Sequence, residues 1–292
     1  MTAKAEALIP GRALLECDAA QFQQAVERAR DSIIGHRLYQ PQVGIILGSG
    51  LSPLAERVAH ASSVDYEQIP YFPRTHACGH TGRLVFGFLS GMPVVLMQGR
   101  AHRYEGLSNV DVSFPVHCLH ALGVRTLIAT NAAGGLNTRF RTGDLMVIDE
   151  HLDFLWLRGL VGRTSQPAIR GTSPYDNVLI ERVRHIARAH GIVLHQGCYL
   201  GTLGPTYETR SEYRMFRGMG ADAVGMSTIP EVLAASQLKM RTLAMSVITN
   251  VASTDVPMAT THSEVLDSGS AAGPKLLKII HSLLEDMSGQ PD

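Results

Sequence analysis

Short, continuous apolar runs that alternate with amphipathic helical segments constrain the fold of this chain more than any other feature. Runs rich in Val, Ile and Leu are typical of strands buried on both faces. The predicted strands are Val43–Leu47, Arg83–Leu89, Val94–Gln98, Thr126–Thr130, Leu145–Ile148, Val193–Leu203, Ala223–Met226 and Thr242–Ile248. The predicted helices are Gln21–Ile34, Asn109–Leu122, Asp176–His190, Thr209–Met219, Ile229–Lys239 and His262–Met287. This alternation predicts a three-layer α/β fold, in which helices flank a mixed central β-sheet.

The predicted elements begin near residue 21, and no repeat or low-complexity tract divides the rest of the chain. The chain has 292 residues, of which 45% are hydrophobic, so it can bury a large core. We therefore expect residues 1–20 to form a loose N-terminal extension and residues 21–292 to form a single domain. Residues 158–175 contain Gly, Pro, Arg and Thr without periodicity, which predicts a long loop of the kind that often carries function.

Charge, hydropathy and cysteine spacing argue against several classes of protein. Lys+Arg and Asp+Glu each number 26, so neither a nucleic acid nor an acidic membrane is indicated as a partner. The apolar runs are far shorter than the ~20 residues that span a bilayer, and residues 1–12 lack the apolar core of a secretory signal. The four cysteines are widely spaced without a CxxC pair, so we expect reduced thiols and a cytoplasmic location.

Polar side chains follow the first and third predicted strands, at the carboxyl ends where ligands collect in open α/β sheets. After the first strand, Ser49 lies between two glycines in a turn whose N–H groups can approach an anion. Such a turn alone is more typical of a structural loop, and the dinucleotide and NTPase glycine patterns are incomplete. After the third strand come Arg100, His102 and Tyr104, whose guanidinium and imidazole donors suit phosphate oxygens. A solvated charged loop is the alternative there.

Three further strand ends carry small or polar residues. Asn131 and Ala132 follow the fourth strand, where small residues let a ligand approach the backbone. Ser227 and Thr228 follow the seventh strand, where a hydroxyl is typical of a helix N-cap, although a helix N-terminus also binds anions. Asn250 follows the eighth strand. Five such ends predict one shared pocket for an anion and a polar ligand.

Seven stretches, which occur in family order between about residues 43 and 265, resemble the trimeric purine nucleoside phosphorylases. They are GIILGSGL, GHTGRLVFG, QGRAHRYEG, TNAAGGL, GPTYETRSE, GADAVGMSTIPE and ITN. The resemblance implies a phosphorylase/hydrolase-like fold and a homotrimer. It also implies phosphorolysis of inosine, guanosine and their 2′-deoxy forms to a free base and α-ribose-1-phosphate. Inorganic phosphate is then a co-substrate, and neither a cofactor nor a metal is expected.

The resemblance also assigns roles to individual positions. For phosphate these are Ser49, His80, Arg100, His102, the backbone of Ala132 and Ser227; for ribose, Tyr104, Met226 and His262; for the base, Tyr207, Glu208 and Asn250. Asn250, His80 and Glu208 are the positions given a catalytic role. The amide of Asn250 can donate to N7 and O6 of the departing base, and Glu208 can accept N–H groups from a 6-oxopurine.

Three departures from the family pattern leave the base specificity open. Tyr207 replaces the more frequent phenylalanine, as it does in relatives that accept xanthosine, and Val251 replaces the lysine of mammalian members. Residues 158–175 contain no phenylalanine to contact a neighbouring ribose site. The alternatives are a xanthosine-accepting or methylthioadenosine-cleaving relative, a nucleoside hydrolase, and a nucleoside-binding protein of the same fold. Asn250 argues against the methylthioadenosine enzyme, since relatives that prefer 6-aminopurines carry aspartate there.

Overall fold

The computed structural model describes residue 14 and residues 17–36, 39–77, 79–155, 173–251 and 262–289. The strands are β1 Val43–Leu47, β2 Ala59–Asp65, β3 Arg83–Leu89, β4 Met92–Gln98, β5 Thr126–Gly135, β6 Leu145–Asp153, β7 Leu194–Gly201, β8 Ala223–Gly225 and β9 Arg241–Val251. The α-helices are α1 Ala19–Ile34, α2 Asn109–Ala121, α3 Asn177–Ala189, α4 Arg210–Gly218, α5 Ile229–Gln237 and α6 His262–Ser288. None of the described helices is long and apolar enough to cross a membrane.

The strands of the described residues form one mixed sheet in the order β2-β3-β4-β1-β5-β8-β7-β6-β9. Strand β9 also pairs with β5, so β5, β8, β7, β6 and β9 close into a ring, from which β1 to β4 extend as an open sheet. Strands β1 and β9 both run parallel to β5. Their carboxyl ends therefore meet at one edge of the sheet, which is where ligands bind in open α/β folds.

Strand β1 illustrates why the sheet is buried on both faces. All five of its residues are buried. Ile45 and Leu47 pack into one apolar cluster and Ile46 into another, because successive side chains of a strand point to opposite faces. Helices α3 and α6 cover the first face, and α1 and α2 cover the second. The predicted three-layer α/β fold with a mixed central sheet is confirmed.

Strand β2 is absent from the predicted strands. Its sequence, Ala59–Asp65, contains one buried residue, Val64, and it lies at the outer edge of the sheet. An edge strand that faces solvent need not be apolar, so its sequence lacks the continuous Val, Ile and Leu of the inner strands.

Three strands, β5, β6 and β9, continue beyond the ends predicted for them, and two of these extensions contain residues predicted for the site. Residues 131–135 belong to β5 and Asn250 belongs to β9, so the prediction that both lie in loops after a strand is wrong. The cause is pairing within the closed ring, where Gly134 faces Val224 of β8 on one side and Asn250 of β9 on the other. Tertiary pairing here overrides the weak strand preference of Asn and Gly.

Most of the predicted N-terminal extension, and residues 158–172 of the predicted loop, lie outside the described residues. Helix α1 begins at Ala19, two residues before the predicted start, because Asp18 caps it and exchanges hydrogen bonds with Gln21. Leu14 is buried. At the end of the predicted loop, Tyr175 is also buried, and its hydroxyl lies 2.9 Å from Nδ1 of His151.

Candidate active site

An open cavity of about 710 Å³, part of which is open solvent, lies at the edge where β1, β5 and β9 end. It is lined by Gly48, Ser49, His80, His102, Tyr104, Asn131, Ala132, Ala133, Gly134, Tyr207, Glu208, Tyr213, Val224, Gly225, Met226, Ser227, Thr249, Asn250 and Val265. Of the predicted site residues whose side chains the structure describes, all but Arg100 line this cavity. His262 begins α6, and its side chain lies outside the described part of the chain.

The turn after β1 brings Ser49 to the cavity wall. A Cβ atom on Gly48 would lie 2.7 Å from Cα of Asn131, and one on Gly50 would lie 2.8 Å from the carbonyl oxygen of Leu266. The turn is therefore wedged between β5 and α6, where only glycine fits. The Ser49 hydroxyl lies 3.2 Å from Nε2 of His80, so both groups can reach the same ligand.

His80 is held by the backbone of the loop that follows β4. Its Nδ1 lies 2.7 Å from the carbonyl oxygen of Arg100 and 3.0 Å from the amide nitrogen of the same residue. Burial, and next the neighbouring imidazole of His102, lower the pKa of His80 to about 4. His80 is therefore neutral at physiological pH, so it acts on a ligand as a hydrogen-bonding group and not as a cation.

His102 is fixed by Glu105, which the predicted site does not include. Glu105 accepts hydrogen bonds from the amide of His102 at 2.7 Å and the amide of His76 at 2.6 Å, and its Oε1 lies 3.1 Å from Nδ1 of His102. Burial acts to raise the pKa of Glu105, but the hydrogen bonds from His102 and His76 lower it on balance. The carboxylate thus directs Nε2 of His102 toward the cavity. The ring of Tyr104 stacks on that of His102 with centroids 4.7 Å apart.

Arg100 lies beneath the cavity and not on its wall. Its side chain is 2% exposed. Nη1 donates to Oγ1 of Thr228 and Oε1 of Glu231, each at 3.1 Å, and Nη2 donates to the carbonyl oxygen of Thr130. The alternative of a solvated charged loop is therefore wrong. The side chain that the motif predicts to contact phosphate is paired instead with a buried carboxylate, so its phosphate role stays a prediction.

Thr228 holds the N-cap position of helix α5, as one of the two residues suggested for it, but its hydroxyl makes no capping hydrogen bond. Thr228 has φ of +75°, which is rare for a β-branched residue. This conformation turns its hydroxyl toward the interior, where it accepts hydrogen bonds from Arg100 and from Nδ2 of Asn131 at 2.8 Å. Ser227 remains at the cavity wall, with its Oγ 3.2 Å from Oγ1 of Thr228. These hydrogen bonds link Ser227 at the cavity wall, through Thr228, to the buried Arg100–Glu231 pair.

A second set of lining residues comprises Tyr207, Glu208 and Tyr213. Glu208 accepts a hydrogen bond from Oγ1 of Thr202 at 3.1 Å, and the hydroxyl of Tyr213 lies near its carboxylate. Burial raises the pKa of Glu208. Sequence reasoning missed Tyr213. Helical spacing from Phe216, which is buried three residues later on α4, would have placed Tyr213 on the inner face of that helix.

Asn250 lines the cavity from strand β9, opposite Gly134 of β5. The hydroxyl of Thr249 donates to Oδ1 of Asn250 and to the carbonyl oxygen of Ala133, both at 3.3 Å. An oriented amide here can donate to a ligand held next to Glu208.

In the part of the chain that the structure describes, no group of three or more His, Cys, Asp or Glu side chains could hold a metal ion. The lining of the cavity combines hydroxyl and imidazole groups with a carboxylate, phenols and an amide. That combination suits an anion bound beside a polar heterocycle.

The chain is similar to known proteins over most of its length. The sequence profile of the phosphorylase superfamily matches residues 42–285. Purine nucleoside phosphorylase 1 of Bacillus subtilis (strain 168) is 42% identical over 269 residues, which cover 90% of this chain and 98% of that protein. The purine nucleoside phosphorylase of Rattus norvegicus is 40% identical over 278 residues, which cover 89% and 94% of the two chains.

Solved structures agree with the sequence relatives. The crystal structure of Schistosoma mansoni purine nucleoside phosphorylase in complex with adenosine superposes with a TM-score of 0.85 at 35% identity, covering 92% of this chain and 98% of that one. Isoform 2 of the enzyme from the same organism, in complex with cytosine and ribose-1-phosphate, has a TM-score of 0.84 at 34% identity, covering 90% and 96%.

Proposed function

Because the chain belongs to the phosphorylase superfamily, as one of its purine nucleoside phosphorylases, we propose that its substrates are 6-oxopurine nucleosides and inorganic phosphate. The reaction then converts inosine, guanosine and their 2′-deoxy forms to a free base and α-(deoxy)ribose-1-phosphate. Such an enzyme is a pentosyltransferase. The proposal needs no cofactor, since phosphate is itself the attacking group.

One observation carries the proposal: a single cavity is lined both by groups that suit an anion, here called its phosphate end, and by groups that suit a 6-oxopurine, here called its base end. Ser49, His102 and Ser227 offer donors to phosphate oxygens, together with the backbone of Ala132. His80 offers a neutral imidazole beside Ser49. These groups orient a phosphate below C1′ of the sugar, which converts an intermolecular attack into an intramolecular one.

The base end supports departure of the purine. As the glycosidic bond lengthens, positive charge develops on the sugar and negative charge on N7 and O6 of the base. The phosphate stabilises the first, and the amide of Asn250 donates to the second. Glu208 accepts the N1–H that inosine and guanosine carry, and adenosine offers no proton at that position. Tyr104 and Met226 also line the cavity and are proposed to contact the ribose.

A nucleoside panel tests the proposal. The purified chain should release base from inosine and guanosine in the presence of phosphate, with little release when phosphate is removed. Xanthosine, adenosine and methylthioadenosine complete the panel, because Tyr207 leaves the base range open and the Schistosoma enzyme was solved with adenosine. Chromatography of the products and of ribose-1-phosphate is the measurement.

The same panel distinguishes the alternatives. Release of base without phosphate would identify a hydrolase. Preference for methylthioadenosine over inosine would identify the 6-aminopurine relative. Binding of nucleosides without turnover of any of them would contradict the proposed enzyme and indicate a binding protein.

We further propose that the chain assembles as a homotrimer, as its resemblance to the trimeric phosphorylases implies. Large apolar side chains exposed between residues 203 and 219 support self-association. They are Leu203, Tyr207, Met215 and Met219, each between 42% and 49% exposed. Light scattering should give about three times the 31.6 kDa of one chain. A monomer mass at micromolar concentration would overturn this assembly.

A further inference from the structure

Tyr213 reaches the base end of the cavity from a helix that carries none of the predicted site residues. Its ring packs on an apolar cluster that includes Leu136, Phe216 and Val224. Its hydroxyl lies near the carboxylate of Glu208, and both residues line the cavity. The packed ring keeps the phenol beside Glu208.

The hydrogen-bonding capacity of this pair exceeds what the protein uses. A carboxylate has about four acceptor sites, and Thr202 occupies one of those on Glu208. The phenol oxygen of Tyr213, after donating its own proton, keeps two acceptor lone pairs. Glu208 and Tyr213 therefore present a row of acceptors to whatever lies in the base end.

Such a row of hydrogen-bond acceptors favours a purine with a donor at C2 over a purine with an acceptor there. Guanine carries N1–H and a 2-amino group, so it offers three N–H donors along one edge, whereas hypoxanthine offers only N1–H. Xanthine places a carbonyl oxygen at C2, where it would face the lone pairs of the phenol. The pair thus complements guanine best.

We propose that Tyr213 is a specificity-determining residue, whose hydroxyl oxygen accepts a hydrogen bond from the 2-amino group of guanosine while it donates to Glu208. The inference rests on the proposed phosphorolysis of 6-oxopurine nucleosides. It predicts a preference for guanosine over inosine that depends on one oxygen atom.

The variant Tyr213→Phe removes that oxygen and keeps the packed ring. We expect kcat/KM for guanosine to fall about five- to tenfold, mainly through KM, because one hydrogen bond to the substrate is lost. Inosine should lose less than about twofold at about pH 8, where Glu208 is ionised with either residue. The dissociation constants of free guanine and free hypoxanthine, measured by calorimetry, should diverge in the same way.

The pH profile gives a second readout. Glu208 already has a raised pKa from burial, and the loss of a donor to its carboxylate should raise that pKa further. The acidic limb of kcat/KM for inosine should therefore move to higher pH in Tyr213→Phe. A structural role for Tyr213 would not move that limb.

The matched control is Tyr39→Phe, at an exposed tyrosine whose ring contacts Phe88 of strand β3. It should leave both nucleosides unaffected. Equal losses for guanosine and inosine in Tyr213→Phe, or no loss for either, would overturn the inference and leave the proposed function intact. A wild-type chain that cleaves neither nucleoside would instead remove the proposed function.

Discussion

Replacing Asn250 with alanine should lower kcat for inosine and guanosine by about 10²- to 10³-fold, the usual effect of removing one donor to a developing anion. The purine departs with negative charge on N7 and O6, and the amide is proposed to donate there. Thr249 already holds Oδ1 of Asn250 at 3.3 Å, so the amide is oriented before the substrate binds. Steady-state kinetics with both nucleosides at saturating phosphate measures the effect.

The effect should appear in kcat more than in KM for phosphate, because the phosphate end of the cavity is left intact. The variant Asn177→Ala is a matched control, since Asn177 is an exposed residue at the start of α3. Its kcat should equal that of the wild type. A kcat within about threefold of wild type for Asn250→Ala would remove Asn250 from catalysis.

The inner strands could be predicted from the sequence because burial on both faces leaves a local apolar signature. Strands β1 and β3 have the predicted bounds. Strand β2 was missed because one side of an edge strand faces solvent, so its sequence resembles a loop. The extensions of β5 and β9 were missed because they depend on pairing between residues about 115 positions apart, which no local pattern records.

The candidate site, like the fold, was predicted only in part. Its motifs lie at strand ends, so the sequence predicted which side chains would meet, and all of those that the structure describes except Arg100 line one cavity. The sequence could not predict in which direction a long side chain of the site would point. Arg100 turns away from the cavity toward Glu231, which lies 131 residues later in the chain. Tyr213 was missed because a single aromatic residue on an amphipathic helix is ordinarily a packing residue.

The variant Arg100→Ala should lower the free energy of unfolding by about 3–5 kcal/mol. Glu231 is 3% exposed, and Arg100 is the cation that it pairs with at 3.1 Å. Removal of the guanidinium leaves a buried carboxylate without its countercharge, which costs far more than the pair gained when it formed. Urea denaturation at a fixed protein concentration is the measurement, since an oligomer's stability depends on concentration.

A matched control is available in Arg241, which pairs with Asp176 at 2.6 Å and whose side chain is 42% exposed. Because that pair is screened by water, Arg241→Ala should cost no more than about 1 kcal/mol. The double variant Arg100→Ala with Glu231→Gln should recover part of the loss, since it removes the orphaned charge as well. A loss for Arg100→Ala no larger than that of the control would contradict the buried pair.

The same variant separates a buried structural arginine from a phosphate ligand. Phosphate that binds the folded chain raises its stability by mass action, by about 2.7 kcal/mol at a concentration 100-fold above the dissociation constant. If Arg100 also contacts phosphate, as its motif implies, Arg100→Ala should lose most of this increment in addition to its basal loss. If the guanidinium serves only Glu231, the increment should survive, and unfolding curves with and without phosphate would then remove Arg100 from the phosphate site.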